Sequence, residues 1–203
     1  MTDSSWSETY VITGPCDLVD FERQFVRCLQ QGRRLFQLRD HTLSDSEWTL
    51  RLQCIRHHLK SLSGETVRVL LNGSPEQAVS LCLEGVHLNS QRLMGLLKRP
   101  PSLRWVCGSC HTVAEVKQAN RLGVDFIVIS PVLPTQSHPQ ATPLGWQQFA
   151  ELADSAKMPV YALGGLQTQH MVQAQQCGAI GIAAIGSLWT STEGLTEHVT
   201  HDR

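Results

Sequence analysis

The chain has 203 residues, 41% of them hydrophobic, which suffices for one sizeable core and does not fit a disordered or fibrous protein. Its formal net charge is −1 at pH 7 and it carries no run of Lys or Arg, which argues against a nucleic-acid binder. No apolar stretch approaches the roughly twenty residues of a membrane span, and the polar start lacks the features of a signal peptide. We therefore expect a cytoplasmic protein of one domain, residues 1–203, that acts on a small molecule.

Short apolar runs alternate with longer amphipathic runs along the whole chain, a pattern typical of repeated βα units and a parallel sheet. Eight such units predict an α/β fold, a single-domain (β/α)8 TIM barrel. The predicted strands are Tyr10–Thr13, Leu35–Leu38, Val67–Leu71, Gly85–Leu88, Arg104–Gly108, Phe126–Ser130, Pro159–Leu163 and Gly181–Ala184.

Two helix starts support this prediction. Ser44 with Glu47 and Ser74 with Gln77 both have the spacing of a capping box, and Pro75 occupies a first helical position. The longest irregular stretch, residues 131–145, follows the sixth strand, so a barrel would place it at the active face as a candidate lid.

Polar residues at the strand ends should converge on one barrel mouth. Gln37 and Arg39 alternate with Leu38, so both can point inward, where they need a ligand or an internal partner. Arg39 could bind a phosphate or carboxylate, or form an ion pair with Glu84 or Asp125; both alternatives remain open. The other polar candidates at the mouth are His41, Asn72, His87, Ser109, His111, Ser130, Thr135, Ser137 and His138.

Two of these candidates also have structural explanations. Asn72 precedes Gly73 and could belong to a simple turn. His87 lies between apolar residues and could be a satisfied core histidine.

The last two predicted strands each end in small residues. Gly164 and Gly165 follow one strand, and Ile185, Gly186 and Ser187 follow the other. Small residues there let backbone N–H groups approach an anion, so the pair predicts a phosphate-binding floor. The alternative is that these glycines only form tight turns.

Seven cysteines without a regular framework fit a reducing compartment. Cys107 and Cys110 have C-x-x-C spacing, but nothing nearby suggests a zinc or redox motif, so packing is the simpler interpretation. A weaker alternative makes Cys110 a thiol nucleophile beside His111, although adjacent strand residues point to opposite faces.

As a string of spaced motifs, the sequence resembles the thiamine phosphate synthase and thiazole tautomerase superfamily. The motifs cover almost the whole chain: Gln37-Leu38-Arg39, Leu71-Asn72, Gly85-Val86-His87-Leu88, Gly108-Ser109-Cys110-His111, Gly123-Val124-Asp125-Phe126, Pro131-Val132-Leu133-Pro134-Thr135, Leu144-Gly145 and Ala162-Leu163-Gly164-Gly165.

The resemblance implies a role for each matching position. In that family the barrel mouth joins a hydroxymethylpyrimidine diphosphate to a thiazole phosphate, and magnesium, lysine and arginine hold the released pyrophosphate. By resemblance, Arg39 matches a diphosphate position and Thr135 and Ser137 match the loop. Gln37, Asn72, His87 and Ser109 match the pyrimidine side, and Gly165, Ile185 and Gly186 match the thiazole phosphate site.

The departures from the family pattern fall on the diphosphate and metal positions. His41 and His138 stand where the family has lysines, and Gly73 and Arg92 stand where it has aspartates. Neither Gly73 nor Arg92 supplies a carboxylate, so we expect no magnesium site of the family type and no other cofactor. Arg39, His41 and His138 remain the candidate catalytic residues. Because histidine is only partly charged near neutral pH, standard synthase activity should be weak or absent.

The sister thiazole tautomerases use a histidine after the sixth strand, and that position appears here as Pro131. The strongest resemblance is to the synthase-like domain often fused to a Nudix hydrolase, which suggests such a hydrolase as a partner; a homo-oligomer is also an open possibility.

Two functional hypotheses therefore remain. The first is a transferase-like enzyme of thiamine phosphate metabolism that binds a phosphorylated thiazole or pyrimidine ligand with an altered diphosphate site. The second is a non-catalytic module that binds or senses a phosphorylated ligand. Both hypotheses use the same barrel mouth, so they differ in turnover and not in the location of the ligand.

Overall fold

The computed structural model describes residues 6–62, 64–135 and 140–190. Eight parallel strands pair in sequence order, and β1 also pairs with β8, so the sheet closes into a barrel and the predicted fold class is confirmed. The strands are β1 (Thr9–Ile12), β2 (Leu35–Leu38), β3 (Arg68–Asn72), β4 (Gly85–Leu88), β5 (Trp105–Cys110), β6 (Phe126–Ile129), β7 (Val160–Leu163) and β8 (Gly181–Ala184).

The main difference from the predicted strands lies at two carboxyl ends. β3 continues to Asn72 and β5 continues to Cys110. The extra ladder pairs Asn72↔His87 and Ser109↔Val128 account for this extension. Asn72 and Ser109 are therefore held by the sheet itself, which positions their side chains more firmly than loops would.

Helices connect the strands on the outside of the barrel, and none in the described ranges is long and apolar enough to cross a membrane. They are α1 (Leu18–Gln30), α2 (Asp45–Leu59), α3 (Pro75–Ser80), α4 (Ser90–Gly95), α5 (Val113–Leu122), α6 (Gly145–Asp154) and α7 (Met171–Gln176), with a 3₁₀ turn at Thr168–His170 and a π-helical segment at Gly186–Thr190.

Local capping explains where two of these helices begin. At α2 both bonds of the predicted capping box are present between Ser44 and Glu47. At α3 the Ser74 hydroxyl accepts a hydrogen bond from the Gln77 N–H at 3.2 Å, and Pro75 is the first helical residue. These bonds satisfy backbone donors that a helix start would otherwise leave without partners.

The barrel interior is a small aromatic core. Tyr10, Phe126 and Tyr161 are fully buried, and their ring centroids lie 5.1–5.7 Å apart. Below them, Trp6 packs edge-on against Phe126 at 4.8 Å. This aromatic cluster fills the barrel beneath the carboxyl ends of the strands, so the polar side chains at the mouth lie above a packed interior.

A second hydrophobic layer lies between the strands and the helices. Phe21 and Phe25 on α1 lie one helical turn apart and face inward, where Phe25 packs on Phe36 of β2 with ring centroids 4.9 Å apart. All four residues of β2 are buried, because one face looks into the barrel and the other meets the helices. This double burial explains why the strands read as continuous apolar runs.

Candidate ligand site at the barrel mouth

A continuous chain of hydrogen bonds joins five side chains that come from five strands. Asn72 Nδ2 donates to Gln37 Oε1 at 2.9 Å, and Gln37 Nε2 donates to the Tyr10 hydroxyl at 3.1 Å. The Tyr10 oxygen lies 3.2 Å from His87 Nδ1, and His87 Nε2 lies 2.9 Å from Ser109 Oγ. We call these five residues the polar chain. The link from Tyr10 of β1 to His87 of β4 crosses the barrel interior.

Burial keeps the middle of the polar chain uncharged. It lowers the pKa of His87 to about 3 and raises the pKa of Tyr10 well above its usual value. Because Gln37 donates to Tyr10, the Tyr10 hydroxyl can donate in turn to His87 Nδ1; in that tautomer of His87 the ring hydrogen is on Nε2, on the side of Ser109. The middle of the polar chain thus carries no formal charge.

The two ends of the polar chain are the parts that reach the solvent. Gln37, Tyr10 and His87 are at most 2% exposed, whereas Asn72 and Ser109 are only partly buried. The sequence predicted four of the five members and missed Tyr10. The available signal was its hydroxyl at an inward position of β1, two residues before Ile12, which faces the same interior cluster.

Thr13 at the end of β1 holds the backbone of Arg39. Its hydroxyl accepts a hydrogen bond from the Arg39 N–H at 2.9 Å and lies 3.4 Å from the Arg39 carbonyl. The Arg39 side chain is half-buried, and within the described ranges it has neither an ion pair nor a side-chain hydrogen bond. His41, two residues further on, is exposed.

The structural alternative for Arg39, an ion pair with Glu84 or Asp125, is wrong. Asp125 Oδ2 pairs with Arg99 at 2.7 Å, and Glu84 pairs with Arg104 at 3.8 Å. Glu84 directly precedes β4 and Asp125 directly precedes β6, so both lie at the end of the barrel opposite the mouth. Among the described residues, the Arg39 guanidinium is therefore paired with neither carboxylate.

Asp40 holds the loop that carries Arg39 and His41, and the sequence did not predict this role. Asp40 Oδ1 accepts hydrogen bonds from the Thr42 N–H at 3.0 Å and from the Thr42 hydroxyl at 2.7 Å. Its other oxygen lies 3.6 Å from Arg51 of α2, and both side chains of this ion pair are at most 3% exposed. A buried ion pair thus positions the loop at the mouth.

Gly164 and Gly165 have a structural requirement for glycine. Their φ angles are +105° and +65°, in the region that favours glycine. A Cβ on Gly165 would lie 2.3 Å from the Pro134 carbonyl oxygen, and one on Gly164 would lie 2.7 Å from the Pro131 Cα. Glycine is therefore required at both positions by the backbone conformation and by the loop after β6, which packs directly on them.

The second half of the floor is more open. A Cβ on Gly186 would meet no atom within 4 Å, and Gly186 is exposed. Ser187 Oγ donates to the Leu166 carbonyl at 2.9 Å, which ties the two halves of the floor together. Ile185 packs against the interior cluster. The structure thus brings the five predicted phosphate-binding residues together, and their role remains a prediction.

Of the three loop candidates, Thr135 is half-buried near the floor, while Ser137 and His138 lie outside the described residues. The loop before Thr135 is tied to β7, because the Val132 N–H donates to the Leu163 carbonyl at 2.9 Å.

The residues at the two altered aspartate positions do not fit a magnesium ion. Gly73 has no side chain, and a Cβ there would lie 2.7 Å from Gln77 Oε1, so Gln77 occupies the space. Arg92 is an exposed cation whose backbone N–H donates to Asn89 Oδ1 at 2.8 Å. Magnesium requires oxygen ligands, and neither position offers a carboxylate.

The cysteine alternatives are resolved by strand geometry. Cys107 belongs to the barrel interior, whereas Cys110 belongs to the layer beneath the helices, so the C-x-x-C residues lie on opposite faces of β5. Burial raises the pKa of Cys110 to about 12. His111 Nδ1 lies 2.6 Å from the Ser130 carbonyl oxygen and does not pair with the thiol. Cys110 is therefore a packing residue.

These observations define a single-domain (β/α)8 barrel with a polar ligand site at the carboxyl ends of its strands. The family model described as thiamine monophosphate synthase (TMP-TENI) matches residues 9–188. The chain belongs to this family.

The chain is similar to proteins named thiamine-phosphate synthase in two bacteria. It is 28% identical over 203 residues to the one from Pediococcus pentosaceus, covering 96% of this chain and 94% of that protein. It is 30% identical over 172 residues to the one from Limosilactobacillus fermentum, covering 82% and 79%. The fold resembles thiamine phosphate pyrophosphorylase from Pyrococcus furiosus, with a TM-score of 0.69, 21% identity and coverage of 91% and 88%.

Proposed function

We propose that the protein binds a phosphorylated thiazole or pyrimidine compound of thiamine phosphate metabolism at the barrel mouth, and that its standard synthase activity is weak or absent. The observation that carries this proposal is the polar chain, five uncharged hydrogen-bonded groups, one of which, Gln37, lies two residues before Arg39. Uncharged polar groups suit a neutral heteroaromatic ring, and a guanidinium suits the phosphate attached to it.

The partly exposed ends of the polar chain support recognition of the ring. Asn72 offers both an amide donor and a carbonyl acceptor, and Ser109 offers a hydroxyl that can do either. An aminopyrimidine likewise presents donors and acceptors along one edge. Because the pKa of His87 is about 3, its imidazole is neutral near pH 7 and would not favour a negatively charged ring over a neutral one.

The open half of the floor supports recognition of the phosphate. The backbone at Gly186 is exposed and unobstructed, and Gly186 begins a helical segment, where backbone N–H groups favour anions. In this proposal Gly164, Gly165, Ile185, Gly186 and Ser187 hold the phosphate. Arg39 would bind the phosphate group carried by a pyrimidine ligand.

The altered positions favour weak synthase activity. A synthase of this family releases pyrophosphate, and this highly charged leaving anion needs stabilisation by cations. Gly73 and Arg92 lack the carboxylates that would hold magnesium, and His41 and His138 replace lysines. The same changes favour the second hypothesis, a non-catalytic binding or sensing module, and an association with a Nudix hydrolase remains a prediction.

A ligand-binding experiment tests the location of the site. Thermal stability is measured with thiazole phosphate, hydroxymethylpyrimidine phosphate and diphosphate, and thiamine phosphate, each with and without magnesium, since a bound ligand raises stability by mass action. We expect stabilisation that does not depend on magnesium. Gly186→Asp should abolish it by placing a negative charge on the floor, whereas Gly186→Ala, which adds no charge at the same unobstructed position, should retain it.

A turnover experiment separates the two hypotheses. The protein is incubated with hydroxymethylpyrimidine diphosphate, thiazole phosphate and magnesium, beside an active thiamine-phosphate synthase as the standard. Slow product formation that Arg39→Ala abolishes supports a transferase, whereas binding without product supports a sensing module. A rate equal to the standard contradicts the predicted loss of activity, and the absence of any ligand-dependent stabilisation contradicts the proposed site.

A further inference from the structure

Three side chains with metal-binding atoms meet on the outer surface of the helical layer. They are Glu22 of α1 and Cys54 and His58 of α2, and their ligand atoms all lie within 4.8 Å of one another. His58 Nε2 is 2.7 Å from Glu22 Oε1. The cluster is made of helix side chains, whereas the ligand site at the mouth is made of strand ends and the loops that follow them.

Helix geometry explains why these residues meet. Cys54 and His58 are four residues apart on α2, so they lie one above the other on the same face. α1 runs beside α2 and presents Glu22 to that face. A second contact between the two helices lies beside the cluster. The Arg51 guanidinium, three residues before Cys54, lies over the ring of Phe21, 4.8 Å from its centroid, and Phe21 directly precedes Glu22.

We propose that Glu22, Cys54 and His58 form a zinc site that links α1 to α2. A thiolate, an imidazole and a carboxylate are the three side-chain types that bind zinc, and three protein ligands leave a fourth tetrahedral position for water. Zinc bond lengths of about 2.0–2.3 Å place the ligand atoms about 3.3–3.6 Å apart at the corners of a tetrahedron. The observed separations, from 2.7 Å for His58 to Glu22 up to the 4.8 Å limit, differ from this spacing by about 1.5 Å or less.

An ion can reach the cluster from solvent, and the Glu22 carboxylate supplies a negative charge that would balance a bound cation. The His58 side chain is 24% exposed and the Glu22 side chain 51%, which leaves a path for the ion.

The test uses the full chain, reduced and freed of metal with a chelator, and titrates it with Co²⁺ as a coloured substitute for zinc. We expect a cobalt–thiolate charge-transfer band that saturates at one equivalent and is displaced by Zn²⁺. Cys54→Ser should remove the band, and His58→Ala and Glu22→Gln should each weaken Co²⁺ binding about tenfold or more, because each removes one ligand. Cys82→Ser and His57→Ala, which alter an exposed thiol and a neighbouring exposed imidazole, are the matched controls and should leave the titration unchanged.

Circular dichroism before each titration establishes that a variant is folded; all five substitutions are at surface or partly exposed positions. The proposal is overturned if the wild-type chain gives no thiolate band. It is equally overturned if the band survives Cys54→Ser, or if His58→Ala binds Co²⁺ as tightly as the wild type.

Discussion

The buried imidazole of His87 predicts a specific dependence of stability on acidity. In the folded protein the pKa of His87 is about 3, because burial disfavours the charged ring, whereas an unfolded chain has a histidine pKa of about 6.5. Below pH 6.5 the unfolded state therefore binds a proton that the folded state does not bind. The free energy of unfolding should be highest above pH 6.5 and should fall as the pH is lowered from 6.5 towards 3.

The magnitude follows from the separation of the two pKa values. His87 should reduce the free energy of unfolding by about 1.4 kcal/mol for each pH unit below pH 6, which is about 2 kcal/mol at pH 5 and at most about 5 kcal/mol at pH 3. For a domain whose total stability is of the order of 5–15 kcal/mol, this single group makes acid unfolding easy to detect.

The assay is urea unfolding of the wild type and His87→Gln at several pH values between 5 and 8. The substitution removes the titrating group, so His87→Gln should be less stable at pH 8 through lost hydrogen bonds but should lose about 2 kcal/mol less than the wild type between pH 7 and pH 5. His57→Gln, at an exposed position, is the control and should follow the wild-type curve. Parallel curves for wild type and His87→Gln would refute the reasoning, because His87 would then titrate alike in both states.

Two further stability predictions test the supports of the mouth. Asp40→Asn should lower the free energy of unfolding by about 3 kcal/mol, since it leaves the buried Arg51 charge without its partner; thermal and urea unfolding measure this, and a loss below about 1 kcal/mol would contradict it. Gly165→Ala should cost more than about 2 kcal/mol, through its positive φ and the 2.3 Å approach to the Pro134 oxygen, whereas Gly186→Ala should stay within about 1 kcal/mol of the wild type. Equal effects at the two glycines would show that the loop after β6 does not pack as described.

Much of the fold could be predicted from the sequence because its signals are local. The strand at Leu35–Leu38 is marked by a short apolar run, and the start of α2 is marked by Ser44 and Glu47 at capping-box spacing. Such patterns act within a few residues and need no knowledge of distant contacts. Repeated eight times, they also predict closure of the barrel, and closure predicts which strand ends share a mouth.

The arrangement within the candidate site was predicted only in part. Gln37, Asn72, His87 and Ser109 follow from strand position, but the connection through Tyr10 depends on which side chains meet across the barrel interior. A strand pattern states that a residue points inward and does not state what it meets there.

The sequence by itself determined the order of the strands and helices and the barrel class, because side-chain periodicity and capping are properties of neighbouring residues. Only the tertiary structure decided which charges pair and which protons are held. It paired Asp125 with Arg99 and not with Arg39, it lowered the pKa of His87 by burial, and it brought Glu22 of α1 to Cys54 of α2. Pairing and burial depend on distances across the closed barrel, which no local pattern contains.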